Sequence, residues 1–122
     1  MIVVRIIMKV RPEKHKEVMQ TLLSMIEPLG KESGYLSYGV FCDIEDKNVF
    51  NLISEWETRQ HLDHHMRSDR FSVLLGTKSL LCEPPQIEIH TVSQSEGMEA
   101  IDAVREKEAN SIRLGAARSL II

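Results

Sequence analysis

The sequence predicts an α+β fold of the ferredoxin-like kind, with the order β-α-β-β-α-β, an antiparallel sheet and a helical extension at the C-terminus. Three observations predict it. Four stretches alternate with a period of two, two stretches carry apolar residues at three- and four-residue spacing, and they follow one another in that order. The 122 residues, 43% of them apolar, suit one domain with one core.

Along residues 3–10, Val4, Ile6, Met8 and Val10 alternate with Arg5, Ile7 and Lys9, which is the period of a strand. The pattern changes at Arg11-Pro12-Glu13. Proline suits the first helical position, where its missing N–H costs nothing, and Glu13 complements the positive end of a helix. Val18, Met19, Leu22, Leu23, Ile26 and Leu29 then recur at helical spacing. The helix is expected to end near Ser33-Gly34, where glycine can take the left-handed conformation of a cap. Residues 35–42 and 49–56 read as the second and third strands, joined by the polar turn of residues 43–48 into a hairpin. Thr58 suits the N-cap of the next helix, with Leu62 and Met66 on its apolar stripe. Ser68-Asp69 interrupts that stripe, so a break is expected before Phe71, Val73, Leu74 and Leu75 resume it. Pro84-Pro85 stops the helical region, and residues 86–92 alternate as a fourth strand.

The first two strands are apolar on both faces, Val4 and Ile6 against Ile7, and Leu36 and Val40 against Tyr35 and Phe41. Two helices cover one face of such a sheet, and a second face left in water would show a clean alternation. The same sheet of another subunit is the simplest cover, so a homodimer is expected. Composition shifts after residue 92, which sets residues 1–92 as the domain and 93–122 as an extension. Residues 97–114 read as a helix with a weak stripe of Met98, Ile101, Val104 and Ile112, interrupted by Glu108. It would pack across the dimer, join one dimer to another as a higher oligomer, or remain partly disordered.

The net charge of −3, with both signs mixed, gives no pull toward nucleic acid or anionic lipid. The apolar N-terminus is interrupted by Arg5 and Lys9, unlike a signal peptide, and no window is apolar enough for a membrane span. Cys42 and Cys82 stand alone, without the repeated spacing of a disulfide framework or zinc ribbon. The expectation is a reduced, cytoplasmic protein.

The densest chemistry lies at Glu55-Trp56-Glu57-Thr58-Arg59-Gln60-His61-Leu62-Asp63-His64-His65, which holds the only tryptophan and three of the five histidines. His61 and His65 lie one helical turn apart, a spacing able to hold a transition metal if further ligands come from elsewhere. The alternative is one inward-facing histidine flanked by two in solvent, and no metal is the expectation. The zincin motif is absent, since position 62 is leucine. Trp56 is either a core residue or a hydrogen-bonding wall of a cavity. Tyr38, Asn51 and Glu55 are polar residues in apolar strands, and such groups need a partner across a dimer, a water or a ligand. Phosphate loops, a G-x-S-x-G elbow and an activated cysteine are all missing, and so is the aromatic-and-glycine motif of RNA-binding sheets.

The order of elements, Glu55-Trp56 at a strand end, Leu62–His65, Ser68-Asp-Arg-Phe71 and Pro84-Pro85 together resemble the antibiotic biosynthesis monooxygenase family, including its small quinol monooxygenase-like members, over about residues 2–92. The resemblance implies a dimeric α+β barrel with a cavity between sheet and helices in each subunit. It also implies, in some members, oxygenation of a small aromatic quinol or phenol without flavin, haem or metal, so that no cofactor is expected. By this resemblance His65 is the proton acceptor, Trp56, Asn51 and Tyr38 stabilise the anion, and Glu55 orients a neighbour. Here Glu55 directly precedes Trp56, and Ser54 stands where many members are acidic. Haem degradation is disfavoured, because the first strand has no asparagine. The alternatives are an isomerase or decarboxylase on the same scaffold, and a dimer that binds a small ligand without turning it over.

Overall fold

The alternation at the N-terminus becomes strand β1 (Ile2–Lys9), which buries Ile2, Val4, Ile6 and Met8 on one side and leaves Arg5 and Lys9 exposed on the other. In the computed structural model, which describes residues 1–121 and the side chains of residues 1–110, β1 lies inside a four-stranded antiparallel sheet. The strands β2 (Tyr35–Cys42), β3 (Val49–Trp56) and β4 (Gln86–Thr91) complete it in the order β2-β3-β1-β4. This is the ferredoxin-like arrangement. Val10, expected in the first strand, instead makes an isolated bridge to Leu81.

One face of the sheet carries the helices. Their buried residues Val18, Leu22, Leu29, Leu62, Phe71 and Leu74 meet Val4, Ile6, Met8, Phe50, Leu52 and Trp56 of the strands in one core. The expected first helix is divided into a 3-10 turn (Pro12–Lys14), α1 (His15–Ser24) and α2 (Ile26–Leu29). Pro28 accounts for the division: it has no N–H for the Ser24 carbonyl four residues back, and its ring crowds that oxygen. The chain then turns at Gly34, whose φ of 77° lies in the left-handed region. After β3 come α3 (Arg59–Met66) and α4 (Asp69–Gly76), separated at Ser68 as the sequence suggests, and a second 3-10 turn (Thr77–Leu80).

A bulge in β2 changes one reading of the sequence. Tyr35 pairs with Trp56 and Ser37 with Glu55, so Leu36 is an extra residue. Tyr35 therefore shares the helix-side face with Tyr38 and Val40, contrary to the simple alternation that set it beside Phe41, and Leu36 is exposed. The opposite face mixes half-buried Val3, Ile7, Val49 and Ile53 with exposed Phe41 and Arg5.

The chain forms two compact units, Met1–Val92 and Ser93–Ile122. In the second, Gly97 N–H donates to Glu99 Oε1 at 2.9 Å, and α5 (Met98–Ile121) runs beyond the expected end at residue 114. Met98, Ile101 and Val104 are exposed, and the side chain of Ile112 lies outside the described residues. Among the described residues no helix is long and apolar enough to cross a membrane.

Candidate functional site

The period of β3 builds the site. Its even-numbered residues face the helices, so Ser54 and Trp56 are buried side by side, and the Trp56 Nε1–H donates to Ser54 Oγ at 3.0 Å. Two residues later Thr58 starts α3, its Oγ1 accepting the His61 backbone N–H at 3.2 Å. That start sets the helical phase: Leu62 and His65 turn inward, and His64 stays exposed.

The His65 ring stacks on the Trp56 indole, with centroids 4.5 Å apart and planes at 24°. Phe71 of α4 meets the same imidazole edge-on at 5.4 Å. One hydroxyl ties the two helices together. Ser68 Oγ donates to the His65 carbonyl at 2.6 Å and accepts the Phe71 backbone N–H at 3.2 Å.

The polar edge of His65 faces Glu32, in the turn before β2. Glu32 Oε2 lies 2.6 Å from His65 Nδ1, and each side chain is less than a tenth exposed. The other carboxylate oxygen, Oε1, is 3.7 Å from Arg70 Nη1, which comes from the half-exposed first turn of α4. Burial holds the His65 imidazole below its ordinary pKa. The Glu32 charge and hydrogen bond pull it back up, while Arg70 and His64 push it down. Among the described residues, His65 Nε2 has no hydrogen-bond partner.

Tyr38 faces Ser54 across the β2–β3 ladder, on this same side of the sheet. Its hydroxyl is buried with no partner among the described residues, and burial pushes it up to about 12. Tyr38, Trp56 and His65, all singled out from sequence, thus share one face.

Asn51 and Glu55 do not join them, because odd-numbered residues of β3 point to the opposite face. There Asn51 Oδ1 accepts from Arg5 Nε–H at 3.1 Å, and Glu55 Oε1 accepts from Ser37 Oγ–H at 2.7 Å. The neighbour that Glu55 meets is thus Ser37, on the face away from Trp56 and His65. Ser54, one residue earlier, occupies the position that reaches Trp56. His61 and His65 also diverge: His61 Nδ1 is 2.8 Å from Thr58 Oγ1, whereas His65 Nδ1 meets Glu32. Among the described residues no three His, Cys, Asp or Glu side chains gather in a metal-binding group.

Between β1, β4 and α4 lies an apolar pocket of about 10 Å³, near the lower limit for one water. Ile6, Met8, Phe71, Leu74 and Ile87 line it, and neither Trp56 nor His65 does. Glu32 and Arg70 escaped the sequence reading. Glu32 is 33 residues from His65 and belongs to no motif, so only the folded chain reveals the pair.

The protein sll1783 of Synechocystis is 30% identical to this chain over 89 residues, which are 72% of this chain and 60% of that protein; the chain thus spans less than two thirds of that relative. YcnE of Bacillus subtilis, named as a candidate monooxygenase, is 27% identical over 69% of this chain and 90% of its own length. Among solved structures, a conserved protein of Methanosarcina mazei superposes with a TM-score of 0.69 at 33% identity, covering 73% of this chain and 89% of its own. Rv0793 of Mycobacterium tuberculosis shares the fold, with a TM-score of 0.72 at 21% identity over 79% of this chain and 98% of its own. The family model described as antibiotic biosynthesis monooxygenase matches residues 1–74, the stretch that carries β1, the hairpin, Trp56 and His65. With that match covering more than half of its length, the chain belongs to the antibiotic biosynthesis monooxygenase family.

Proposed function

We propose that this chain is a monooxygenase that oxidises a quinol or polycyclic phenol with O₂, and that His65 accepts the proton of the substrate hydroxyl. The observation that carries this reading is the buried imidazole itself, held through Nδ1 by Glu32 and stacked on Trp56. A phenol is a poor reductant until it loses its proton, so a buried imidazole, kept below its ordinary pKa and hence neutral and able to accept, supplies what the reaction needs. A phenol with hydrogen opposite its hydroxyl becomes the quinone, one atom of O₂ entering the ring and the other leaving as water. A quinol becomes the hydroxyquinone in the same way. The substrate supplies both electrons beyond those it shares with the new bond. The Tyr38 hydroxyl, buried and unpartnered on the same side of the sheet, suits the oxyanion.

Asn51 and Glu55 take a different place in this proposal. They lie on the mixed apolar and polar face of the sheet, which suits a homodimer formed sheet to sheet, with residues 1–92 as the domain that dimerises. Light scattering at micromolar concentration would give about twice 14.0 kDa for that dimer.

Oxygen uptake with a panel of hydroquinones and naphthols tests the activity. His65→Gln is expected to lower turnover about 100-fold, within the range for loss of a general base. No uptake above the buffer rate from any of them would refute the proposal, and turnover without oxygen would move it to an isomerase or decarboxylase. A second reading is favoured by the direct contact of Trp56 and His65, together with a pocket between β1, β4 and α4 that neither of them lines. There the pair is structural and the dimer holds a hydrophobic ligand, seen as ligand retained in native mass spectra and no turnover in any assay.

A further inference from the structure

We infer that Glu32 is a positioning residue: its carboxylate fixes the tautomer of His65, so that Nε2 presents a lone pair to the substrate and the imidazolium formed after proton transfer is held as one half of a buried ion pair. The inference rests on the function proposed above for its last step, but its first step concerns the free protein.

The geometry begins with the two nitrogens of the ring. Nδ1 lies 2.6 Å from a carboxylate oxygen, a distance typical of a charge-assisted hydrogen bond. An ionised carboxylate only accepts, so Nδ1 must be the donor and the neutral ring must leave Nε2 without a proton. Arg70 Nη1 lies 3.7 Å from the second oxygen of Glu32, so a guanidinium stands on the far side of that carboxylate from His65. The stack on Trp56 and the edge contact with Phe71 stop the ring from turning to exchange its nitrogens. A histidine free in water favours the opposite tautomer, with the proton on Nε2, so the assignment is specific to this carboxylate.

Charge balance gives the second half. At rest the cluster holds Glu32 negative, Arg70 positive and His65 neutral, which sum to zero. Uptake of a proton by Nε2 adds one positive charge, and the phenolate left behind returns the sum to zero. The site is therefore matched to a neutral substrate that becomes an anion in place, rather than to a carboxylate that arrives charged. Among the described residues three charged or titratable groups act on the charge of the imidazole: Glu32 from the turn before β2, Arg70 from α4, and His64 from α3. Only Glu32 favours the protonated ring.

Nitrogen-15 NMR of the full chain labelled at histidine tests this without substrate. The neutral His65 of the wild type is expected to show a protonated Nδ1 and an unprotonated Nε2. Glu32→Gln keeps the shape of the side chain and removes its charge, and should lower the proton affinity of His65 about tenfold or more. Arg70→Gln, a change at a half-exposed position, should raise that affinity and provides a second variant if Glu32→Gln does not fold. A proton on Nε2 of the neutral wild-type ring would overturn the inference, as would a His65 titration that neither variant moves. In oxygen uptake, Glu32→Gln should move the acid limb of the pH profile downward along with that titration. If the NMR result holds while His65→Gln leaves uptake unchanged, the role of His65 as proton acceptor fails and the assignment of the dyad stands; if no uptake is seen from any substrate, the monooxygenase reading fails and the assignment again stands.

Discussion

Ser54→Ala isolates a single buried hydrogen bond. In the folded chain the Trp56 indole is fully buried and, among the described residues, its N–H donates only to Ser54 Oγ, 3.0 Å away. Removing the hydroxyl deletes one atom, so the void left behind is small, and the main cost is an indole N–H that has neither protein nor water to bond. A buried donor left without a partner costs about 1–3 kcal/mol. At about 2 kcal/mol the folding equilibrium shifts roughly 30-fold, and a unit of this size loses roughly 10 °C in Tm. Urea unfolding followed by far-ultraviolet circular dichroism measures the first, and a thermal scan the second. The cause is then separated from side effects by repeating the change in a Trp56→Phe background, where no N–H remains to be orphaned. There Ser54→Ala should cost less than about 0.5 kcal/mol, since removing both partners of a bond is close to neutral. A cost below about 0.5 kcal/mol in the wild type, or the full cost in the Phe background, would refute the reasoning.

Two further changes probe the surroundings of the site. Gly34→Ala is expected to cost more than the roughly 1–2 kcal/mol of a left-handed alanine, because its Cβ would collide with both the ring and the Cβ of His61; adding His61→Ala removes the ring but keeps that Cβ, so it should recover part of the excess in the same unfolding assay, and no recovery would show that the ring is not an obstacle. Tyr38, raised from 10.0 to about 12 by burial, keeps in the fold a proton that the unfolded chain gives up. Its contribution is complete below pH 10 and is lost as pH rises toward 12. A spectrophotometric titration at 295 nm should show an increment near 12 that Tyr38→Phe removes, while at neutral pH that variant should be unchanged or more stable by about 1 kcal/mol. Persistence of the increment in the variant would assign it to another group.

The fold was legible because its signals are local. Alternation marked β2, β3 and β4, Thr58 marked the start of α3 and makes the capping bond its position suggests, and Ser68-Asp69 marked the break before α4. Pro28 carried the signal for the break between α1 and α2, and the apolar spacing across it hid that signal. The site was legible in part. His65 and Trp56 stand on adjoining elements, and counting by two from Trp56 along β3 already separates Ser54, which shares its face, from Asn51 and Glu55, which do not. Tyr38 needed the register across the hairpin, and the bulge at Leu36 shifts that register for Tyr35. Glu32 had no local signal, because its meaning depends on a contact that only the packing of α3 against the turn before β2 creates.

The Trp56–His65 stack has a practical consequence. Trp56 is the only tryptophan of the chain, and its indole lies face to face with the imidazole of His65, the proton acceptor of the proposal above. Indole emission is quenched by a protonated imidazole at van der Waals distance and is sensitive to any group that displaces it. Fluorescence of the unlabelled protein therefore reports the charge and position of His65 as pH is changed or as candidate phenols are added. The molecule carries its own optical probe of the imidazole on which the proposal turns.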